Sequence, residues 1–308
     1  MKRVAWIANG LRAWALLAAL IAASHSGAAS QCQGRLGPQT GIAGKTEYDP
    51  FNPADLTEDH RLFVVNTGAD PCVFALLFRS LAARPVLGGR LAYDLVGSGG
   101  TSLLTSATVA AAPLLKLKAP LAASATASLD FRIVIPRGQL AAPGPYRDAV
   151  ELELYALGGD GRAAGPPLDR VSLAIAYSAA RVLSVNIKGA ELATTLGFGA
   201  LTRGEERSVA IQARSNQSYE LGVTSDNGGM LALTPRVAGQ SWTVPYSVTL
   251  AGQRLDLARG AAALRAQPPT RPQSDASHDL TVTIGEVGQK RAGRYEDVLT
   301  VEIRAATP

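Results

Sequence analysis

The stretch AGRYEDVLTVEIRA (292–305) is the last strand-like segment of the sequence, and PGPYRDAVELELYA (143–156) repeats its pattern. Both place Gly, Tyr and Asp at alternate positions before apolar and polar residues that alternate, as in a half-buried β-strand. The earlier copy continues through a Gly/Pro-rich loop into another alternating segment, VSLAIAYSA (171–179), whereas only three residues follow the later copy. We therefore predict a β-sandwich that is complete in the first half and lacks its final strand in the second.

The repeated tyrosine indicates which kind of sandwich this is. In immunoglobulin-like sandwiches, a tyrosine near the start of strand F turns its hydroxyl back to the chain at the E–F corner. Tyr146 and Tyr295 occupy this position in the two copies, and strand-like segments upstream recur at a similar spacing. Duplication of one unit explains the recurrence. The sequence predicts an all-β fold of two immunoglobulin-like antiparallel β-sandwich domains, residues 30–179 and 180–308.

The first 29 residues have the pattern of an export signal. A basic start is followed by the apolar run AWALLAALIAA (13–23) and by small residues that offer a cleavage site. The run spans about half of the ~20 residues that a membrane helix needs. We expect residues 1–29 to be removed during export, so that the mature chain passes through the periplasm.

Two cysteines lie early in the mature chain, Cys32 and Cys72. An even number of cysteines in an exported protein predicts one disulfide, and closing a loop of this length would contribute about 3–4 kcal/mol. The alternative is two buried free thiols. No third soft ligand accompanies them, so the pair does not predict a zinc site.

The missing strand has an energetic consequence for the second half. Leu299, Val301 and Ile303 would face a groove of core side chains beside unpaired backbone groups. Filling such a groove buries about four apolar side chains, worth roughly 6–12 kcal/mol. A whole domain has a stability of only about 5–15 kcal/mol. The sequence therefore predicts that a strand from another chain completes this domain, as in pilin donor-strand complementation.

Several segments together carry a resemblance to a known family. The segments are FGALTRGEERSVAIQARSNQSYELGVTSDNGGML (198–231), VPYSVTLAG (244–252), AGRYEDVLTVEI (292–303), YDPFNPADLT (48–57) and PGPYRDAVELEL (143–154). They resemble the spore coat protein U domain of archaic (Csu-type) chaperone–usher pili, and the first half does so more loosely than the second. The resemblance implies a periplasmic chaperone, an outer-membrane usher, a neighbouring subunit that donates a strand, and a final location at the cell surface.

The expected mature N-terminus suggests a position in the fibre. A shaft subunit donates a strand as well as accepting one, so it needs an alternating apolar tail. Residues 30–50, SQCQGRLGPQTGIAGKTEYDP, are instead rich in glycine. A subunit that accepts without donating can sit only at the tip, and the resemblance implies that the complete first domain is then the adhesin.

An apolar segment in the first half is a candidate adhesive loop. Its leucines could grip hydrophobic surfaces, as apolar distal loops do in similar tip adhesins, or they could pack into the first core. They are Leu114, Leu115, Leu117 and Leu121.

Other function classes have less support. Removing the expected leader leaves 27 basic and 25 acidic residues, a net charge of +2, and no basic stripe with interleaved aromatics predicts nucleic-acid binding. His60 and His278 lie alone in different halves, so no catalytic constellation is predicted. No metal or cofactor is expected. The remaining alternative is a self-contained periplasmic or secreted β-sandwich that serves as a binding module or a structural coat protein.

Overall fold

A computed structural model describes residues 32–38, 41–80, 85–190, 192–236, 241–259, 262–268 and 275–306. The expected leader, residues 1–29, lies outside this part of the chain. The described residues form antiparallel β-sheets almost throughout, with one short 3-10 helix at Leu257–Arg259. The predicted all-β sandwich class is therefore confirmed. No helix among the described residues is long and apolar enough to cross a membrane.

The described residues of the first half form twelve strands. They are β1 (Gly34–Leu36), β2 (Ile42–Ala43), β3 (Leu56–Asn66), β4 (Phe74–Ser80), β5 (Val86–Leu87), β6 (Leu91–Ala92), β7 (Asp94–Gly97), β8 (Leu104–Thr105), β9 (Leu115–Lys116), β10 (Thr126–Ile135), β11 (Gly144–Leu157) and β12 (Ala163–Ala179).

These strands make two principal sheets around one core. One sheet has the order β1-β3-β10-β7, and the other has the order β2-β12-β11-β4-β8, with β9 also on β4. Apolar residues alternate along β10, so that Leu129, Phe131 and Ile133 are buried while the residues between them are more exposed. This alternation directs one face of each strand into the core.

In the second half, ten strands lie within the described ranges. They are β13 (Leu183–Ile187), β14 (Glu206–Ser215), β15 (Tyr219–Ser225), β16 (Met230–Thr234), β17 (Thr243–Leu250), β18 (Gln253–Leu255), β19 (Ala262–Ala266), β20 (Ala276–Ile284), β21 (Arg294–Glu296) and β22 (Leu299–Ala305).

These strands enclose a second core, separate from the first. The larger sheet has the order β13-β14-β20-β17-β16-β21, with β18 on β17, and the smaller has the order β19-β15-β22. Tyr219, Leu221 and Val223 of β15 are fully buried, and they face residues such as Val248 and Val282 from the larger sheet.

One asparagine joins the two halves at their junction. The Asn216 side-chain amide donates to the carbonyl of Ala141 at 2.9 Å and to that of Ala180 at 2.8 Å. Its Oδ1 accepts from the Val182 backbone N–H at 3.0 Å, and the residue is only 3% exposed. The Arg214 guanidinium lies 5.5 Å from the ring centre of Phe51 in the first half. Polar contacts therefore hold the junction between the two cores.

Candidate functional site

The outer edge of β22 is the feature that separates the second half from the first. Among the described residues, β22 pairs with β15 alone, from Leu299 opposite Ser225 to Ala305 opposite Tyr219. The corresponding strand of the first half, β11, pairs with β4 on one side and with β12 along almost its whole length on the other. In the first half, β12 pairs with the outer edge of β11. In the described second half, no strand pairs with the corresponding outer edge of β22.

Burial follows the same difference. The core-facing residues of β22 pack against the second core but are only half-buried, whereas those of β11 are no more than 1% exposed. The β22 residues are the predicted Leu299, Val301 and Ile303, and the β11 residues are Val150, Leu152 and Leu154. Part of each β22 side chain therefore still faces solvent.

Strand β13 forms the opposite wall. It is the end strand of the larger sheet, pairs with β14 only, and lies beside β22. Its residues Leu183, Val185 and Ile187 pack against the second core and are also half-buried. We call the region bounded by these three residues and by Leu299, Val301 and Ile303 the open groove.

The chemistry of the open groove suits one kind of ligand. An unpaired edge presents a row of backbone N–H and C=O groups, and here that row lies beside half-buried aliphatic side chains. An extended peptide can satisfy both at once, because its backbone pairs with the edge while alternate side chains enter the groove.

Both predicted corner tyrosines bond to the chain four residues before them. The Tyr146 hydroxyl donates to the Ala142 carbonyl and the Tyr295 hydroxyl donates to the Arg291 carbonyl, each at 2.8 Å. The two halves therefore use the same local geometry at the start of β11 and of β21.

The sequence interpretation missed the role of the aspartate in this repeat. Asp297 Oδ2 accepts from the hydroxyls of Tyr246 at 2.5 Å and Ser225 at 2.6 Å, and its Oδ1 accepts from the backbone N–H of Asn227 and Val298. Burial, aided by the hydrogen bond to Asp297, raises the pKa of Tyr246, which therefore remains a donor. The signal was the shared Gly-x-Tyr-x-Asp spacing, which the sequence interpretation used for the corner tyrosine and for the duplication, without assigning a role to the aspartate.

Asp297 also marks a break that the sequence did not predict. Residues 292–305 were expected to form one strand, but β21 pairs with β16 in the larger sheet and β22 pairs with β15 in the smaller one. The equivalent Asp148 accepts from the Tyr93 hydroxyl at 2.8 Å, yet β11 continues through it. The additional bonds of Asp297 to Ser225 and Asn227 hold the crossing between sheets in the second half.

The predicted disulfide is confirmed. The sulfur atoms of Cys32 and Cys72 are 2.10 Å apart and their Cα atoms are 5.8 Å apart, and the described chain contains no free cysteine. Cys72 is buried in the first core. The bridge therefore fastens the start of the described chain to the first sandwich, and the alternative of two free thiols does not apply.

The leucines of the candidate adhesive loop lie against the first sandwich. Leu115 and Leu121 are members of the first core, at 9% and 8% exposure, and Leu117 packs against that core while Leu114 is half-buried. Short strands and bridges hold the segment against β4, since Leu115 pairs with Leu76 and Leu121 pairs with Cys72. Of the two alternatives, packing into the first core describes Leu115 and Leu121, and an adhesive role of the loop stays a prediction.

The two histidines of the described chain lie in different halves, and each is beside a tyrosine hydroxyl. The His278 ring nitrogen lies 2.8 Å from the Tyr219 hydroxyl, and the His60 ring nitrogen lies 3.4 Å from that of Tyr177. Burial lowers the pKa of both histidines. Within the described ranges, no three His, Cys, Asp or Glu residues come together as metal ligands would.

Comparison with known proteins gives matches among solved structures only. No protein-family model matches the chain, and no curated protein does. The resemblance to the spore coat protein U domain therefore stays a prediction.

Three of the matching solved structures belong to adhesin systems. One is the CsuC–CsuE chaperone–tip adhesion subunit pre-assembly complex of Acinetobacter baumannii, matched at 13% identity and a TM-score of 0.41, with 87% of this chain and 99% of that chain covered. Another is the CupB6 tip adhesin of Pseudomonas aeruginosa, which matches at 13% identity and a TM-score of 0.43. The match covers 89% of this chain and 92% of that chain. A mutant of the CFA/I adhesin CfaE of enterotoxigenic E. coli matches at 13% identity and a TM-score of 0.36. The match covers 83% of this chain and 76% of that chain. The chain is similar to these proteins at low identity, and its function is inferred below from its own geometry.

Proposed function

We propose that this chain is an exported subunit of a chaperone–usher pilus and that its second half accepts a β-strand from another chain along the edge of β22. The observation that carries the proposal is the contrast between β22, which pairs on one side only, and β11, which pairs on both. The half-buried Leu299, Val301 and Ile303 supply the apolar floor for the incoming strand.

The energy available from such a strand is large for one peptide. Burying three or four alternating apolar side chains contributes about 1.5–3 kcal/mol each. Each backbone hydrogen bond gained along the seven residues of β22 adds about 0.5–1.5 kcal/mol net. The total is comparable to the stability of an ordinary domain, about 5–15 kcal/mol. A periplasmic chaperone would fill the groove during transit, and a neighbouring subunit would fill it after assembly by the usher.

The finer assignment is the fibre tip, with residues 30–179 as a complete adhesin-like domain and residues 180–308 as the strand-accepting domain. Two separate cores support this division. The segment that a shaft subunit would donate is already engaged here: Gly34–Leu36 forms β1 in the first sandwich, and the disulfide fastens Cys32 next to it. A chain whose N-terminal segment is held in this way accepts a strand without offering one, and at the tip it would be displayed on the cell surface.

The chain itself provides a probe for the groove. Strand β12 covers the equivalent edge in the first half, with Leu173, Ile175 and Tyr177 buried. A synthetic peptide with the sequence of residues 168–179 should bind the mature chain and slow hydrogen exchange of the β22 amides that point away from β15. The matched control is the same peptide with Leu173→Arg and Ile175→Arg, which has the same length but places charges in an apolar groove.

Two results would contradict the proposal. Protection of the outward-facing β22 amides, those that point away from β15, before any peptide is added would mean that the edge is already covered. Equal binding of the wild-type and arginine peptides would mean that the groove does not select apolar side chains. Either result would favour a self-contained β-sandwich.

A further inference from the structure

A polar cleft lies on the outer face of the first sandwich, away from the open groove. It has a volume of about 530 Å³, and β3, β10 and β7 form its floor. The turn after β7, residues 97–100, forms one wall and contributes Ser98 and two of its glycines to the lining. The volume is within the range of small-molecule sites, about 300–1,000 Å³.

Four charged side chains alternate in sign across this floor. The register places Arg61 opposite Asp130 and Asp59 opposite Arg132. Opposite charges therefore face each other across the strands and also follow each other along each strand. The quartet has no net charge, and each of its side chains is more than half exposed.

The ion pairs leave most of the hydrogen-bonding capacity unused. Arg61 bonds to Asp130 through Nε at 2.6 Å, and Arg132 bonds to Asp59 through Nε at 3.0 Å. Within the described chain, the terminal nitrogens of both guanidinium groups and the Oδ2 atoms of both carboxylates have no further partner. Exposed ion pairs contribute only about 0–1 kcal/mol to stability. The fold therefore gains little from the quartet, while donors and acceptors alternate at fixed spacing in a concave site.

We propose that this cleft binds a neutral saccharide. Each hydroxyl of a sugar both donates and accepts, so that vicinal hydroxyls match neighbouring guanidinium and carboxylate groups. A strongly charged ligand would meet one repelling partner for each attracting one. Val96, half-buried in the floor, and the exposed ring of Phe63, next to Arg61 on the same face of β3, offer apolar contacts for C–H groups.

This inference is independent of the open groove, and its test can fail separately. The mature chain is applied to an array of neutral and acidic glycans, and positive sugars are titrated in solution by ligand-observed NMR. The main variant combines Arg61→Asp with Asp130→Arg, which keeps the cross-strand ion pair but exchanges its donor and acceptor sides. The matched control combines Arg203→Glu with Glu286→Arg, which exchanges an exposed pair, 2.9 Å apart, in the second half.

We expect neutral glycans to bind, the main variant to bind at least tenfold more weakly, and the control to bind as the wild type does. A second variant, Ser98→Trp, fills the cleft from an exposed turn position and should abolish binding without altering the ion pairs. Absence of neutral-glycan binding would overturn the proposal. So would binding that neither variant weakens, or binding confined to acidic glycans and lost at high salt.

Discussion

Truncation of a single valine can measure how open the groove is. Val301 of β22 and Val150 of β11 face the cores of their own halves, but Val301 is half-buried and Val150 is 1% exposed. Val→Ala removes two methyl groups, worth about 0.8 kcal/mol each when fully buried, and leaves a cavity that adds about 1 kcal/mol in a rigid core. We expect Val150→Ala to lower the free energy of unfolding of the first half by about 2–3 kcal/mol. Val301→Ala should lower that of the second half by less than about 1 kcal/mol.

The same substitution should become costly when the groove is filled. With the peptide of residues 168–179 bound, Val301 would contact apolar side chains on both sides. Its truncation should then weaken peptide binding about fivefold, equivalent to about 1 kcal/mol. Val150→Ala should leave peptide binding unchanged, because β12 already covers that position.

The assay uses the position of the tryptophans. Trp6 and Trp14 lie in the expected leader, so Trp242 is the single tryptophan of the mature chain, and it lies next to β17 in the second half. Urea unfolding followed by Trp242 fluorescence reports the second half. Near-ultraviolet circular dichroism records the tyrosines of both halves, five in the first and three in the second, so the transition of the first half is the part of this signal that Trp242 fluorescence does not share. A loss of 2 kcal/mol or more for Val301→Ala without peptide would show that the side chain is already fully packed, which would refute the open groove.

Three further changes test the features around the groove and in the first sandwich. Cys72→Ser removes the bridge across 40 residues and should destabilise the first half by about 4 kcal/mol in thermal unfolding. Equal stability of the wild-type protein with and without reductant would contradict this. Asp297→Ala leaves the Tyr246 and Ser225 hydroxyls without their acceptor and should cost the second half about 2–4 kcal/mol in urea, whereas the exposed neighbour Asp226→Ala should change it by less than about 0.5 kcal/mol. Burial lowers the pKa of His278, so the unfolded chain binds the proton more readily than the folded chain does. The stability of the second half should therefore fall as the pH drops below about 6.5. His278→Gln should remove this dependence on pH, and an unchanged dependence would assign it to other groups.

Local patterns in the sequence were sufficient to predict the strands and the disulfide, and to single out β22 as the strand with an open edge. Alternation along β10 reports directly which residues face a core, and the Gly-x-Tyr-x-Asp spacing marks the same turn twice. Such features depend on neighbours in sequence, so one chain can reveal them.

The features that were missed depend on distant partners. The break at Asp297 requires Ser225 and Tyr246, which lie far away along the chain. Burial of Leu115 and Leu121, one of the two alternatives that the sequence left open, depends on pairing with Leu76 and Cys72. The apolar segment around them is interrupted by Pro113 and Pro120 and has no periodicity that indicates a face.

The polar cleft depends on register in the same way. A slip of one residue between β3 and β10 would carry one side of its ion pairs to the other face of the sheet. The sequence contains Asp59, Arg61, Asp130 and Arg132, but their meeting could not be predicted without the pairing of the two strands.

The amide of Asn216 has a mechanical consequence. Bending the molecule at the junction would break its bond to Ala141, because this is the partner that lies in the first half, whereas Ala180 and Val182 lie in the second half with Asn216 itself. One such bond contributes about 1 kcal/mol net, which favours the observed arrangement about fivefold over a bent one. The amide therefore orients the two sandwiches without locking them. A pull on anything held by the first sandwich would bend this junction before its full force reached β22.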